Sequence, residues 1–174
     1  YSLFPKSLGR MPQEFIGNDL ERVGRLLARL HNCGSQKDFQ HRPTMGTPSH
    51  QGWQALAILE KWVSPELWRR YQNACEQILD TLDDLLPETS FLRLHGDCHR
   101  GNILSNDKNF FFVDFDDCIN GPAVQDFWML LPGTPEDSPA DWKMFLHGYE
   151  QLRDFDDFEL NLITPLRGLR IFSY

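Results

Sequence analysis

The chain has 174 residues, of which 41% are hydrophobic and 24% charged, a composition typical of one soluble globular domain. Its formal net charge of -8 argues against a general nucleic-acid or anionic-membrane binder, because such proteins need a basic face. The sequence shows no signal peptide and no apolar run near the ~18 residues that span a bilayer. The four cysteines lack Cys-x-x-Cys spacing, so we expect free thiols in a cytoplasmic protein.

Helical signals dominate the first half of the chain. Asn18 and Glu21 form an N-cap pattern, and the apolar stripe that follows at helical spacing runs to Gly34, a residue that commonly stops helices. Residues 35–52 are polar and broken by Pro and Gly, which predicts an irregular segment. A short helix is expected over residues 51–63. Ser64 and Pro65 then predict the start of a long helix that ends before Pro87.

The central stretch, residues 94–117, is predicted to form a loop, a strand, a hairpin turn and a second strand. An apolar lead-in places Asp97 on a tight loop, and Asn102 opens a short apolar run. A polar turn reverses the chain, and a second apolar run ends at Asp114. This order predicts that Asp97, Asn102 and Asp114 meet at one end of a hairpin.

Three further helices are predicted after the hairpin. Gly121 and Pro122 lead into an apolar segment that we expect to be buried, and Ser138 begins the next helix. Residues 158–174 predict a final helical stretch that is interrupted or kinked at Pro165.

The hairpin residues suit phosphoryl transfer. One carboxylate can accept the proton of an attacking hydroxyl, while a second carboxylate and an amide oxygen are ligands of the kind that Mg²⁺ prefers. In protein kinases these tasks belong to an Asp, an Asn five residues later and an Asp at the start of the next loop. The same spacing gives Asp97 as the base, with Asn102 and Asp114 as metal ligands.

The motif His95-Gly96-Asp97-x-His99-x-x-Asn102, followed by Val113-Asp114-Phe115-Asp116, resembles the aminoglycoside phosphotransferase and choline kinase branch of the protein-kinase-like fold. Within that branch it is similar to the bacterial stress response kinase A group. Weaker similarity extends to Phe4-Pro5, His41-Arg42-Pro43-Thr44 and Leu166-Arg167, so it spans nearly the whole chain.

The resemblance implies an α+β, mainly helical fold: the C-terminal catalytic lobe of a protein-kinase-like enzyme, with a small catalytic β-hairpin and without the N-terminal lobe. Residues 1–8 would be a hinge from that missing lobe, and residues 9–174 a catalytic lobe truncated at its C-terminal end. The implied activity is ATP- and Mg²⁺-dependent phosphoryl transfer to Ser/Thr hydroxyls of proteins by a monomer. Asp97 and Asp114 would be catalytic, and Asn102 and Asp114 would bind the metal and its nucleotide.

Other residues of the motifs receive supporting roles. His95 is expected to orient the loop and Asp126 to brace it from a core helix, while His31 is expected to be a packed histidine. Gly96 stands where regulated protein kinases carry Arg, so we expect no activation by loop phosphorylation. Asp116 and Asp117 are either additional metal ligands or solvated acids.

A loop anchor is the expected role of His41-Arg42-Pro43-Thr44. The spacing of Cys98 and His99 does not support a closed zinc site, since no second ligand pair lies nearby.

Two alternatives remain open. The same three residues would serve a small-molecule kinase acting on an aminoglycoside, choline or homoserine-like alcohol, which an anionic acceptor pocket would favour. A non-catalytic binding remnant is the other alternative, although it would not need all three residues. The sequence contains no Gly-rich phosphate clamp and no convincing strand Lys, so we expect the chain alone to be inactive.

Overall fold

The computed structural model describes residues 9–46, 51–106 and 109–173; the predicted hinge at residues 1–8 lies outside them. Helices predominate and the strands are short, which confirms the mainly helical α+β class. The helices are α1 (Asp19–Gly34), α2 (Gln51–Leu59), α3 (Pro65–Leu85), α4 (Val124–Leu130), α5 (Pro139–Glu150) and α6 (Ile163–Ser173). The strands are β1 (Leu92–Leu94), β2 (Ile103–Ser105), β3 (Phe110–Phe112) and β4 (Ile119–Gly121).

Most helix starts agree with the sequence signals. Helix α1 begins one residue after Asn18 and α3 begins at Pro65, although neither Asn18 nor Ser64 makes a side-chain cap hydrogen bond. Helix α2 ends at Leu59, earlier than predicted. Pro165 neither interrupts nor kinks the last helix: it lies in the first turn of α6, where its missing N–H leaves no helical bond unmade.

The strands form two separate antiparallel pairs. β2 and β3 are the predicted hairpin, with Ile103 opposite Phe112. β1 pairs with β4, with Leu92 opposite Gly121, and the sequence did not indicate β4. The main-chain N–H and C=O of Asn120 also bond to the segment at residues 43–45, so β4 is held on two sides.

The main hydrophobic core lies between α1, α5, α4 and the β1 strand. Helices α1 and α5 approach closely because Gly148 faces the main-chain oxygen of Glu21, where a Cβ would lie only 2.0 Å away. Phe127 of α4 packs edge-on against Phe145 and Tyr149 of α5. This core fixes α4 beneath the loop between β1 and β2. Among the described residues, no helix combines the length and apolar character that crossing a membrane requires.

Candidate active site

The hairpin register brings Asn102 next to the end of β3. The main-chain N–H of Val113 donates to the main-chain oxygen of Asn102 at 3.0 Å, one residue beyond the last pair of the hairpin. Asp114 directly follows Val113. The structure therefore places Asn102 and Asp114 at the same end of the hairpin, as the sequence predicts.

Asp126 braces the loop that carries Asp97. Its two carboxylate oxygens accept the main-chain N–H groups of His95 and Gly96, each at 2.9 Å, and both of these contacts are buried. His31 from α1 lies 3.1 Å from the same carboxylate and 2.8 Å from the hydroxyl of Tyr149. The bracing role expected of Asp126 is confirmed, and the packed His31 proves to be one of its partners. A buried carboxylate satisfied in this way fixes the loop backbone.

His95 joins the loop to the hairpin from the other side. Its Nε2 lies 2.9 Å from the main-chain oxygen of Val113, which only accepts, so Nε2 is the protonated nitrogen. The ring lies 4.6 Å, between centroids, from the ring of Phe115. The orienting role expected of His95 is confirmed, because this bond ties the loop to the residue before Asp114.

The side chain of Asp97 is held by three contacts. Asn102 Nδ2 donates to the main-chain oxygen of Asp97 at 3.0 Å and to its Oδ2 at 3.3 Å. His99 Nε2 lies 3.3 Å from Oδ2, and Arg170 of α6 donates to Oδ1 at 2.9 Å. The Asp97 side chain is 18% exposed, so the carboxylate remains accessible. Because the Asn102 nitrogen is used here, its amide oxygen is the atom available to a cation.

Asp114 has an unusual backbone. Its φ of 64° makes it the sole non-glycine residue with positive φ in the described part of the chain. Such conformations cost free energy and cluster at functional sites. The Asp114 side chain is exposed, although it directly follows an apolar strand. No other described residue reaches this carboxylate by a hydrogen bond or ion pair.

The Cys98 thiol of the loop is not suited to act as a nucleophile. All four cysteines are free, and Cys98 is fully buried. Burial is the main cause that raises the pKa of the Cys98 thiol well above its usual value, which disfavours the nucleophilic thiolate.

Across residues 9–46, 51–106 and 109–173, no group of three or more His, Cys, Asp or Glu could hold a metal ion. A Mg²⁺ site that takes one carboxylate and one amide oxygen from the protein would contain only one residue of these four types, so it would not form such a group.

Two cavities flank the loop. The smaller, of about 140 Å³, is lined by Arg42, Gly96, Asp116, Asp117, Trp128 and Arg170, among others. The larger, of about 610 Å³, lies beside His99 and Arg100 and is otherwise lined mainly by apolar side chains, with Glu14 and Asp141. Each lining therefore carries both signs of charge. Asp97 lines neither cavity itself, but its neighbour Gly96 and its partner Arg170 line the smaller one, and its partner His99 lines the larger one.

The segment His41-Arg42-Pro43-Thr44 proves to be an anchor, as expected. The main-chain oxygen of Pro43 accepts the N–H of Asn120 at 3.0 Å, and the Asn120 amide also reaches the Thr44 hydroxyl at 3.1 Å. Arg42 also donates to the main-chain oxygen of Asp116. Sequence reasoning missed this contact and the contact of Arg170 with Asp97. Helix α6 carries two arginines, Arg167 and Arg170, among mainly apolar residues, and nothing in the local sequence indicates which of them reaches Asp97.

Comparison with solved structures supports the kinase-like fold. The chain is similar to the amicoumacin kinase hAmiN solved in complex with AMP-PNP, Ca²⁺ and Ami, with a TM-score of 0.76 at 21% identity, over 97% of this chain and 54% of that one. It is also similar to the spectinomycin phosphotransferase APH(9)-Ia in complex with ADP and spectinomycin, with a TM-score of 0.66 at 16% identity, over 98% and 57% of the two chains. These likenesses confirm the fold predicted from the motifs.

Sequence relatives cover the whole chain. It is 36% identical over 176 residues to stress response kinase A of Escherichia coli strain K12, over 100% of this chain and 53% of the relative. It is 37% identical over 179 residues to the serine/threonine protein kinase RdoA of Salmonella typhimurium strain LT2, with the same coverage. The chain thus spans about half the length of these relatives. Residues 5–160 match the model of the APH phosphotransferase enzyme family, and the chain belongs to that family.

Proposed function

We propose that the chain carries the catalytic residues of an ATP- and magnesium-dependent kinase that phosphorylates Ser/Thr hydroxyls of proteins. The observation that carries this proposal is the double contact of Asn102 Nδ2 with the main chain and carboxylate of Asp97. It ties the candidate base to a candidate metal ligand, and the hairpin register adds Asp114 at the same end.

Asp97 is the proposed general base. An acceptor hydroxyl that donates a hydrogen bond to its carboxylate would pass its proton there as the oxygen attacks phosphorus. The Asp126 brace holds the loop backbone, and His95 holds the loop to the hairpin. These contacts hold the backbone that carries the base, and positioning of this kind is a major part of catalysis in this class of reaction.

Asn102 and Asp114 are the proposed metal ligands. Both offer oxygen atoms, the ligands that Mg²⁺ prefers, and the Asp114 carboxylate is exposed at the end of the hairpin. A bound Mg²⁺ would neutralise the charge of the ATP phosphates. Asp116 and Asp117 are exposed and line the smaller cavity, so they are candidates for a second ion.

The rest of the nucleotide site is assigned to other parts of the protein. We propose that residues 9–174 are the catalytic lobe and that a Gly-rich loop and a phosphate-pairing Lys come from elsewhere in the full-length protein. The names of the relatives that this chain matches over its whole length include kinases, and those relatives are about twice as long. The free thiols are consistent with work in the reducing cytoplasm.

The cavity next to Arg170 favours a protein acceptor. Its volume of about 140 Å³ is below the ~300 Å³ at which small-molecule pockets begin. A Ser or Thr side chain is a better match to that space than a whole antibiotic. The charged side chains of the lining are two cations, Arg42 and Arg170, and two anions, Asp116 and Asp117. The lining therefore lacks the excess of negative charge that a cationic acceptor would need. One relative is also named a serine/threonine protein kinase.

A small alcohol is the second candidate acceptor. The cavity beside His99 has a volume of about 610 Å³, within the range of small-molecule sites. Solved neighbours of similar fold include kinases of amicoumacin and spectinomycin. This candidate predicts transfer to a small alcohol but not to Ser/Thr peptides.

Radiolabelled phosphate transfer by the intact protein tests both candidates. The protein is offered generic protein substrates, aminoglycosides and small alcohols, and Asp97→Asn is compared with wild type. We expect label on protein and a loss of rate of at least roughly 100-fold in Asp97→Asn. Asp84→Asn, on the exposed face of α3, is the matched control and should keep the wild-type rate. Equal rates in wild type and Asp97→Asn would refute the proposed base.

A further inference from the structure

The contact of Arg170 with Asp97 is not explained by the roles given so far. Arg170 Nη2 donates to Asp97 Oδ1 at 2.9 Å, whereas Asn102 and His99 both approach Oδ2, at 3.3 Å. Asn102 and His99 belong to the same loop as Asp97, but Arg170 lies 73 residues further along the chain. Among the described residues, the shortest contact to this carboxylate therefore comes from a different element.

Helix α6 is firmly packed where it presents this arginine. Leu166 and Phe172 are buried on either side of Arg170 in the sequence. Arg167, one turn earlier, donates to the main-chain oxygen of Gly133 at 2.9 Å, and its guanidinium lies 5.9 Å from the Trp128 ring centroid. A side chain held by a packed helix is placed more accurately than one on a loop.

We propose that Arg170 is a positioning residue for Asp97, an inference that rests on the proposed function. A carboxylate can rotate about its last bond, and a guanidinium on Oδ1 restricts that rotation. The acceptor hydroxyl then meets the Asp97 carboxylate in one orientation. Arg170 also lines the cavity of about 140 Å³, so it lies on the side from which a Ser or Thr side chain would approach.

Three substitutions of Arg170 change its contact with Asp97 in different ways. Arg170→Met keeps length and apolar packing but removes the donor, whereas Arg170→Lys keeps the charge without the planar fork. Arg170→Ala opens a space that added ethylguanidinium can enter. Arg167→Met is the matched control, because it disturbs the same helix without touching Asp97.

Steady-state kinetics of the intact protein test the proposal. We expect kcat of Arg170→Met to fall by roughly 10- to 100-fold, with KM for ATP changed by less than about twofold. Arg170→Lys should lie between Met and wild type. Ethylguanidinium should restore part of the kcat of Arg170→Ala and leave Arg167→Met unchanged. Thermal melting of Asp97→Asn, Arg170→Met and the double variant should give non-additive shifts.

The outcomes separate the two proposals. If Asp97→Asn is inactive while Arg170→Met keeps or exceeds the wild-type kcat, the positioning role is overturned and the proposed function stands. A loss in Arg167→Met equal to that in Arg170→Met, or additive melting shifts, would also overturn it. If wild type shows no transfer that depends on Asp97, the proposed function fails and the positioning role with it.

Discussion

Gly96 separates His95 from Asp97 and has a φ of 85°, which L-residues with a Cβ rarely adopt. A Cβ at this position would lie 2.0 Å from the main-chain oxygen of Asp117. We therefore expect Gly96→Ala to lower the free energy of unfolding by more than about 2 kcal/mol, because backbone strain and a clash with main-chain atoms act together. Urea denaturation of the intact protein measures this change, and phosphate transfer should fall with it.

Gly17→Ala is the matched control for this substitution. Gly17 also has a positive φ, of 57°, but a Cβ there would meet nothing within 4 Å. Only the conformational cost remains, so the loss should be about 1 kcal/mol. Equal losses in the two variants would show that the contact with Asp117 is not tight in solution.

Two sources of information predicted the site contacts: short spacing for Asp97 with Asn102, and the family resemblance for the brace from Asp126. Asp97 and Asn102 are five residues apart and touch, so a linear motif is enough to predict their contact. His31 and Arg170 contact Asp126 and Asp97 across 95 and 73 residues. A contact of that kind depends on how helices pack, and local spacing carries no information about it.

At the scale of elements, the 3₁₀ turn Asp157–Leu162 is bound to the start of α4 through a buried carboxylate. Glu159 Oε2 accepts the main-chain N–H of Val124 at 2.9 Å. Burial is the main cause that raises the pKa of Glu159 to about 7 from its usual 4.5; Asp156 also raises it, while the bond from Val124 lowers it. The folded chain therefore binds a proton more tightly here than the unfolded chain does.

This shift predicts how stability depends on pH. Between the two pKa values the unfolded chain releases the Glu159 proton while the folded chain keeps it, so the free energy of unfolding falls as pH rises from 4.5 to about 7. The contribution lost is about 3 kcal/mol. Glu159→Gln keeps an acceptor for Val124 and cannot ionise. Relative to wild type, it should gain stability as pH rises across this window, as measured by urea denaturation at several pH values.

Asp157→Asn is the control on the same turn, since Asp157 is exposed. It should keep the pH dependence of wild type. The assignment to Glu159 would be wrong if Glu159→Gln lost stability as steeply as wild type over this range.

Strand β4 shows where element prediction failed. Its three residues, Ile119–Gly121, have no alternation of apolar and polar side chains that would indicate a strand. The strand exists because β1 pairs with one edge and residues 43–45 bond to Asn120. By contrast, α1 and α3 carry their own apolar stripes and start signals, so their starts were predictable from the sequence.

At the scale of the whole molecule, the motifs were sufficient for the fold but not for the cavities. The motif at residues 95–116 and its resemblance predicted the kinase-like fold that the solved neighbours confirm. The walls of the smaller cavity, however, come from residues 42–45, 96, 116–119, 125–128 and 166–173. Segments so far apart meet only in the folded chain, which is why the sequence left the acceptor open.

A ligand that binds only the folded protein raises the free energy of unfolding, so nucleotide and metal binding can be followed through stability. Mg²⁺ with AMP-PNP at 100 times the dissociation constant should raise the free energy of unfolding of the intact protein by about 2.7 kcal/mol. Asp114→Asn removes the exposed carboxylate proposed as a metal ligand, so most of the Mg²⁺-dependent part of this gain should be lost. Thermal melting with nucleotide, with and without EDTA, measures the effect.

Asp84→Asn serves as the control and should keep the full gain, since Asp84 is an exposed acid on α3. The comparison works even if the acceptor is never identified, because it depends only on nucleotide and metal. A melting shift in Asp114→Asn equal to that of wild type would show that this carboxylate does not bind the metal. A shift unaffected by EDTA would show that the nucleotide binds without the metal, and Asn102 and Asp114 would then need another role.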